Sequence, residues 1–317
     1  MQSTQITSLH RILPKACQAV LVAVGILFAV MAPLQAETAD NQATSLNPIA
    51  HVKFASAYRP VHHWLYFRQS HADWFDGTTL VRTEADYQLA WPELETRQPL
   101  AQALLPYRIP LQYSIIATDD RQPAMLLDGS ETIQPDQGRE YRIQAKVLDY
   151  KKPVVYRQLL AAQAGFDRID AEGDTQQPSA NPAYRQLAEH AIAAYAIDDS
   201  GIRSDYLKAV AISRWLTENG SAMFSQPSRS KAYIAMAPRH DRFAQIAALA
   251  IRSLGFPARV AYGYAVPRPP IDSQAALIIH ADNSRAWPEI HIQGFGWIPV
   301  DVCAAPLYDK RDFVPCY

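Results

Sequence analysis

A handful of residues in the C-terminal third are of types that could do chemistry. His240 opens an amphipathic run beside Asp241 and Arg242, Arg285 precedes Ala286-Trp287-Pro288-Glu289, and Asp301 closes Gly296-Trp297-Ile298-Pro299-Val300-Asp301. Covalent acyl transfer needs a nucleophile, a base within hydrogen-bond reach, and a group that orients the base. The chain has three cysteines, Cys17, Cys303 and Cys316. Cys303 could act as a nucleophile two residues past Asp301, whereas a disulfide to Cys316 would silence it. Arg285 cannot accept a proton, because a guanidinium stays charged up to pH ~12. His240 reads in two ways: an ordinary helix-start residue, or a ligand contact. A helix N-terminus disfavours a positive imidazole, and a neutral one beside Arg285 would suit a carboxylate or a backbone carbonyl. His62, His63 and His71 with Asp73, or His280 with His291, match no metal-ligand spacing. No metal and no cofactor is expected.

The elements that must hold these residues are strongly written. Tyr184, Leu187, Ala188, Ala191 and Tyr195 recur on one face of a helix that Asn181-Pro182 opens. A second helix runs from about Ser204, burying Tyr206, Val210, Trp215 and Leu216, and is expected to stop at Asn219-Gly220. Pro238 precedes a third, whose stripe is Phe243, Ala247, Ala250, Ile251 and Leu254, with Gly255 as its C′ residue. Strands are expected over Ala258–Tyr264, Ala275–His280, Trp287–Ile292 and Trp297–Val300, with an exposed proline-rich loop over 265–273. Upstream, Trp64–Phe67, Thr79–Val81, Tyr113–Ala117 and Tyr141–Val147 read as short strands, and Phe75-Asp76-Gly77-Thr78 as a hairpin-like turn. Strands at this spacing suggest a β-sandwich or small barrel.

The first 36 residues have a basic leader, an apolar run from Ala19 to Val30, and Leu34-Gln35-Ala36 before Glu37, the pattern of an export signal. A retained anchor is the alternative, since Ala16 to Leu34 approaches the ~18–20 residues a spanning helix needs; membrane contact is expected only then. Charge is nearly balanced, with a formal net charge of −1 over the whole chain, which argues against a nucleic-acid partner held by bulk charge. The expected organisation is a signal over 1–36, a flexible spacer over 37–50, a β-rich domain over 51–157, a linker over 158–182 and an α+β domain over 183–317.

Gly255-Phe256-Pro257-Ala258-Arg259-Val260 after a helix, then Gly263-Tyr264, Ala286-Trp287-Pro288-Glu289 and Gly296-Trp297-Ile298-Pro299-Val300-Asp301, resemble the transglutaminase-like core in order and spacing. That core is built on the papain-like cysteine-hydrolase scaffold. The resemblance is weaker over 181–237, and Trp74-Phe75-Asp76-Gly77-Thr78-Thr79 is similar to a segment of the extracytoplasmic β-domain in bacterial membrane-bound transglutaminase-like proteins. It implies an N-terminal β-sandwich-like domain followed by helices on an antiparallel sheet. In the family a Cys opens the helix, a His precedes Ala-Trp, and an Asp closes the last motif. Here those positions hold His240, Arg285 and Asp301, and no cysteine lies between residues 18 and 302. In a comparable triad, losing the nucleophile or the base alone costs ~10⁶ in turnover.

The resemblance therefore implies an exported, catalytically degenerate protein that binds a protein or peptide partner in the periplasm or cell envelope. A rewired amidase, peptidase or protein-glutamine acyltransferase, and a structural accessory domain, are the alternatives. Arg285 and Asp301 are expected to pair, and Trp287 and Trp297 to line the cleft floor.

Overall fold

Period-two burial builds the longest strands. In β5 (Arg108–Ala117) the side chains of Leu111, Tyr113, Ile115 and Ala117 are buried while Gln112 is exposed, as a sheet with one face on a core requires. The computed structural model describes residues 47–56, 58, 64–77, 79–81, 106–119, 123–149, 152–166, 182–195, 197, 204–223, 239–267 and 276–300. The signal segment, Asp301, Cys303 and Cys316 lie outside the described residues.

Around β5 the other N-terminal strands are β1 (Pro48–Phe54), β2 (Trp64–Ala72), β3 (Trp74–Phe75), β4 (Leu80–Val81), β6 (Ser130–Pro135) and β7 (Glu140–Leu148). Among the described residues the helices α1 (Pro153–Ala161), α2 (Pro182–Ala194), α3 (Asp205–Met223) and α4 (Arg239–Ser253) follow. The chain then forms β8 (Ala258–Pro267), β9 (Leu277–His280), β10 (Ser284–Ile292) and β11 (Gly296–Pro299). Among the described residues every strand pairing is antiparallel. This is an α+β fold.

The sheets do not follow the order of the chain. One is β6-β7-β5-β1-β9, a second is β11-β10-β8-β2, and a third is the two-stranded β3-β4. The C-terminal segment thus lends β9 to the N-terminal sheet, and the N-terminal segment lends β2 to the C-terminal one. The expected N-terminal β-domain is therefore not closed on itself, and the described elements fall in one compact unit. Gly263 makes the β2–β8 pairing possible. A Cβ there would sit 2.0 Å from the Phe67 carbonyl oxygen, beside a register shift between Arg68 and Ser70. The hairpin at Asp76 forms as expected: β3 and β4 pair, and the Thr79 N–H donates to Asp76 Oδ1 at 2.8 Å.

Several boundaries differ from expectation. Residues 48–50 of the expected spacer enter β1, because Ala50 pairs with Ala117 and Ile279. The expected linker begins inside α1, and residues 163–165 are tied to the end of β10 through Gly165 N–H to His291 O at 3.1 Å and Gln293 N–H to Gln163 O at 3.0 Å. Helix α3 runs through Asn219-Gly220 to Met223; an internal glycine costs a helix only about 1 kcal/mol, less than a packed helix gains from its neighbours. β8 continues to Pro267, so the proline-rich loop begins later than expected.

Candidate functional site

Two hydrogen bonds fix how α4 lies on the four-stranded sheet. Gln245, in its second turn, donates from Nε2 to the Tyr262 hydroxyl at 2.9 Å, and Arg252, in its last turn, donates from Nε to the Ala258 carbonyl at 2.6 Å. The helix therefore runs antiparallel to β8. Gly255, at φ 86°, closes it, and the short 254–257 connection turns the chain back. Because Tyr262 pairs with Ala286 and Gly263 with Arg285, the start of α4, with His240, lies toward the end of the sheet where Arg285 sits.

Gln245 holds that end together. Its Nε2 also donates to the Leu80 carbonyl at 3.0 Å, and its Oε1 accepts the Leu80 N–H at 2.9 Å. Arg285 is half-buried on β10. The Val300 N–H donates to the Pro288 carbonyl at 3.0 Å, so the chain leaves β11 heading back along β10 toward Arg285. The expected Arg285–Asp301 pair, the Cys303–Cys316 disulfide and the His240 side chain lie outside what the structure describes.

The two tryptophans are elsewhere than expected. Trp287 is 0 % exposed and cannot line an open groove. It packs on Tyr66 with ring centroids 5.0 Å apart. Trp297 is half-buried and lines a separate cavity with Arg108 and Asp128. Alternation along β10 explains this: Ala286 and Ile290 face the helical core, which turns Trp287, Glu289 and His291 to the opposite face.

That opposite face carries a buried charge centre. Glu289 and Arg259, directly opposite across β10 and β8, are 2 % and 5 % exposed and pair at 2.8 Å. Glu289 also accepts from Arg68 Nη1 at 3.0 Å and from the Trp287 indole N–H at 3.1 Å. Arg68 approaches Asp128 at 3.6 Å, and Arg108 donates to Asp128 at 2.9 Å. Arg108 further donates to the Lys146 and Phe295 carbonyls at 2.8 and 3.0 Å. Gly129 permits that approach, since its φ is 78° and a Cβ would lie 2.1 Å from the Lys146 oxygen.

Electrostatics keeps the acids ionised. Burial pushes the Glu289 carboxyl up, but Arg68 and Arg259 outweigh it and hold the group below the usual carboxylate range. Burial likewise raises the Asp128 carboxyl, and Arg108 and Arg68 more than reverse it. The Arg259 guanidinium is pulled down by burial against the opposing pull of Glu289, and is stacked 4.0 Å over the Trp297 ring. His291 is buried beside this stack, with Nδ1 2.7 Å from the Gly165 carbonyl and its ring 5.1 Å from that of Trp297.

Sequence reasoning passed over Arg259, Glu289, Arg68, Arg108 and Asp128. The available signal was a charged residue inside an otherwise apolar strand, at Arg259 between Ala258 and Val260 and at Glu289 between Pro288 and Ile290. A charge in such a place must be paired if buried. Among the described residues no three His, Cys, Asp or Glu side chains gather as metal ligands.

Residues 193–302 match the family model for the transglutaminase-like superfamily. No curated protein matches the chain. Among solved structures, the chain is similar to the periplasmic domain of TgpA from Pseudomonas aeruginosa, at 18% identity over 86% of this chain and 94% of that one, with a TM-score of 0.44. The same domain bound to ethylmercury matches at 19% identity over 81% and 90%, with a TM-score of 0.43.

Proposed function

Residues 193–302 form a transglutaminase-like domain, and we propose that in this chain the domain binds a protein or peptide partner of the bacterial cell envelope without transforming it. The observation that carries this reading is the pair of residues at the shared end of α4 and the sheet. His240 lies in the first turn of α4 and Arg285 on β10, at the positions that the resemblance gives to the family's nucleophile and base. An imidazole and a guanidinium are donors for a carboxylate or a peptide carbonyl. They are not a nucleophile and a base, since the guanidinium holds its proton at any working pH. The envelope location rests on the apolar leader segment of the sequence.

The experiment is an amine-incorporation and amide-hydrolysis assay on the exported chain, run beside a pull-down from envelope extract. No turnover, together with a captured partner that is lost in Arg285→Ala, supports binding. Turnover abolished by His240→Ala or Cys303→Ala overturns it and establishes a rewired amidase or acyltransferase. Absence of both turnover and capture leaves a structural accessory domain as the reading and sinks the binding one.

A further inference from the structure

A cavity of about 60 Å³ lies where β2 and β11 of the four-stranded sheet meet β5 and β7 of the five-stranded one. One water needs ~10–15 Å³, so the space suits a molecule of about four heavy atoms. Its wall is mainly apolar, with Trp64, Leu127 and Trp297 in it, and Tyr58, Arg108 and Asp128 are among its polar side chains.

The charge of Arg108 is already met. Its Nη2 donates to Asp128 at 2.9 Å and to the Phe295 carbonyl at 3.0 Å, and its Nη1 to the Lys146 carbonyl at 2.8 Å. Its Nε has no hydrogen-bond partner among the described residues, although the side chain is only 2% exposed. This wall therefore wants an acceptor and not a counter-charge. Tyr58 supplies a second donor there, because burial pushes its hydroxyl up against the opposing pull of Arg108 and keeps it protonated. Asp128 supplies an acceptor, with 34% of its side chain exposed.

We propose that this cavity binds a small neutral primary carboxamide, about the size of acetamide. Its carbonyl oxygen accepts on the wall of Tyr58 and Arg108, its amino group donates to Asp128, and its alkyl end lies against Leu127 and Trp297. A carboxylate of that size has no N–H for Asp128, and it meets a guanidinium already paired. An ammonium offers Tyr58 no acceptor and is repelled by Arg108. The volume sets the size. The site is independent of the binding reading of the α4 end.

The test is saturation-transfer NMR on the whole chain with acetamide, acetate and ethylammonium, probes of similar size and different charge. Saturable binding of acetamide is expected, with the other two weaker by about tenfold or more. Tyr58→Phe removes one donor and should weaken acetamide by about tenfold. Leu127→Phe fills the space and should abolish binding. The site is overturned if acetamide does not bind, if acetate binds as tightly, or if acetamide binding is unchanged in Tyr58→Phe or survives in Leu127→Phe. Crystals soaked in acetamide decide the matter without a variant: an amide about 3 Å from the Tyr58 hydroxyl supports the site, and water alone there overturns it.

Discussion

The start of α4 and the buried charge centre share strands β8 and β10, yet they are built on different principles. At the α4 end, Arg285 is half-buried. At the charge centre, Arg259 and Glu289 stand only four residues along from Gly263 and Arg285 on the same two strands, and both are nearly sealed from water. One end keeps its charged side chain within reach of solvent. The other is constrained, because each buried charge there requires its partner. The side chains that pair at the charge centre do not include Arg285.

The sharpest way to break that contrast is Glu289→Gln. It leaves Arg259 and Arg68 without their shared carboxylate, and should cost about 3–5 kcal/mol in urea unfolding. A cost under about 1 kcal/mol would mean the centre is not the constrained region. Gly263→Ala comes next. Its Cβ has nowhere to go against the Phe67 carbonyl, so β2 must shift; a loss of about 2–3 kcal/mol is expected. Little or no loss would mean that the β2–β8 junction gives easily.

Acid should act in the same direction with a smaller reach. Glu289 and Asp128 lie below the ordinary carboxylate range when folded. Such groups add stability that is complete above their unfolded pKa, about 4, and is lost as pH falls through the folded values. The urea midpoint should be nearly flat from pH 7 to about 5 and fall below about 4, and the fall should shrink in Glu289→Gln. A midpoint that rises on acidification contradicts the assignment of these two acids. The smallest effect belongs to the other region. Arg285→Ala and His240→Ala should each change stability by no more than about 0.5 kcal/mol while abolishing partner capture. A cost near 2 kcal/mol for either would move it from the binding end into the scaffold.

Much of the fold was legible beforehand because its signals are local. The stripe Tyr184, Ala188, Ala191 is buried in α2 as its spacing requires, and Gly255 takes the left-handed conformation a helix end favours. Asp76 makes the turn its side chain is suited to. Less of the site could be read. Trp287 looked like a groove residue by motif, and only the alternation of β10 against α4 shows it sealed beneath Tyr66. Arg259 and Glu289 looked like scaffold because 30 residues separate them in sequence, and nothing local announces that they face each other.

The sequence by itself determined most of the C-terminal helices and strands, though not α1 or β1, which face of each is apolar, and that no cysteine stands at the start of α4. These follow from periodicity and composition, which act over a few residues. The tertiary structure alone decided that β2 and β9 change sheets and that Arg68, Arg108, Asp128, Arg259 and Glu289 meet. The reason is physical: a buried charge is stable only against a partner, and a partner 221 residues away, as Glu289 is from Arg68, is chosen by how strands cross and not by any pattern along the chain.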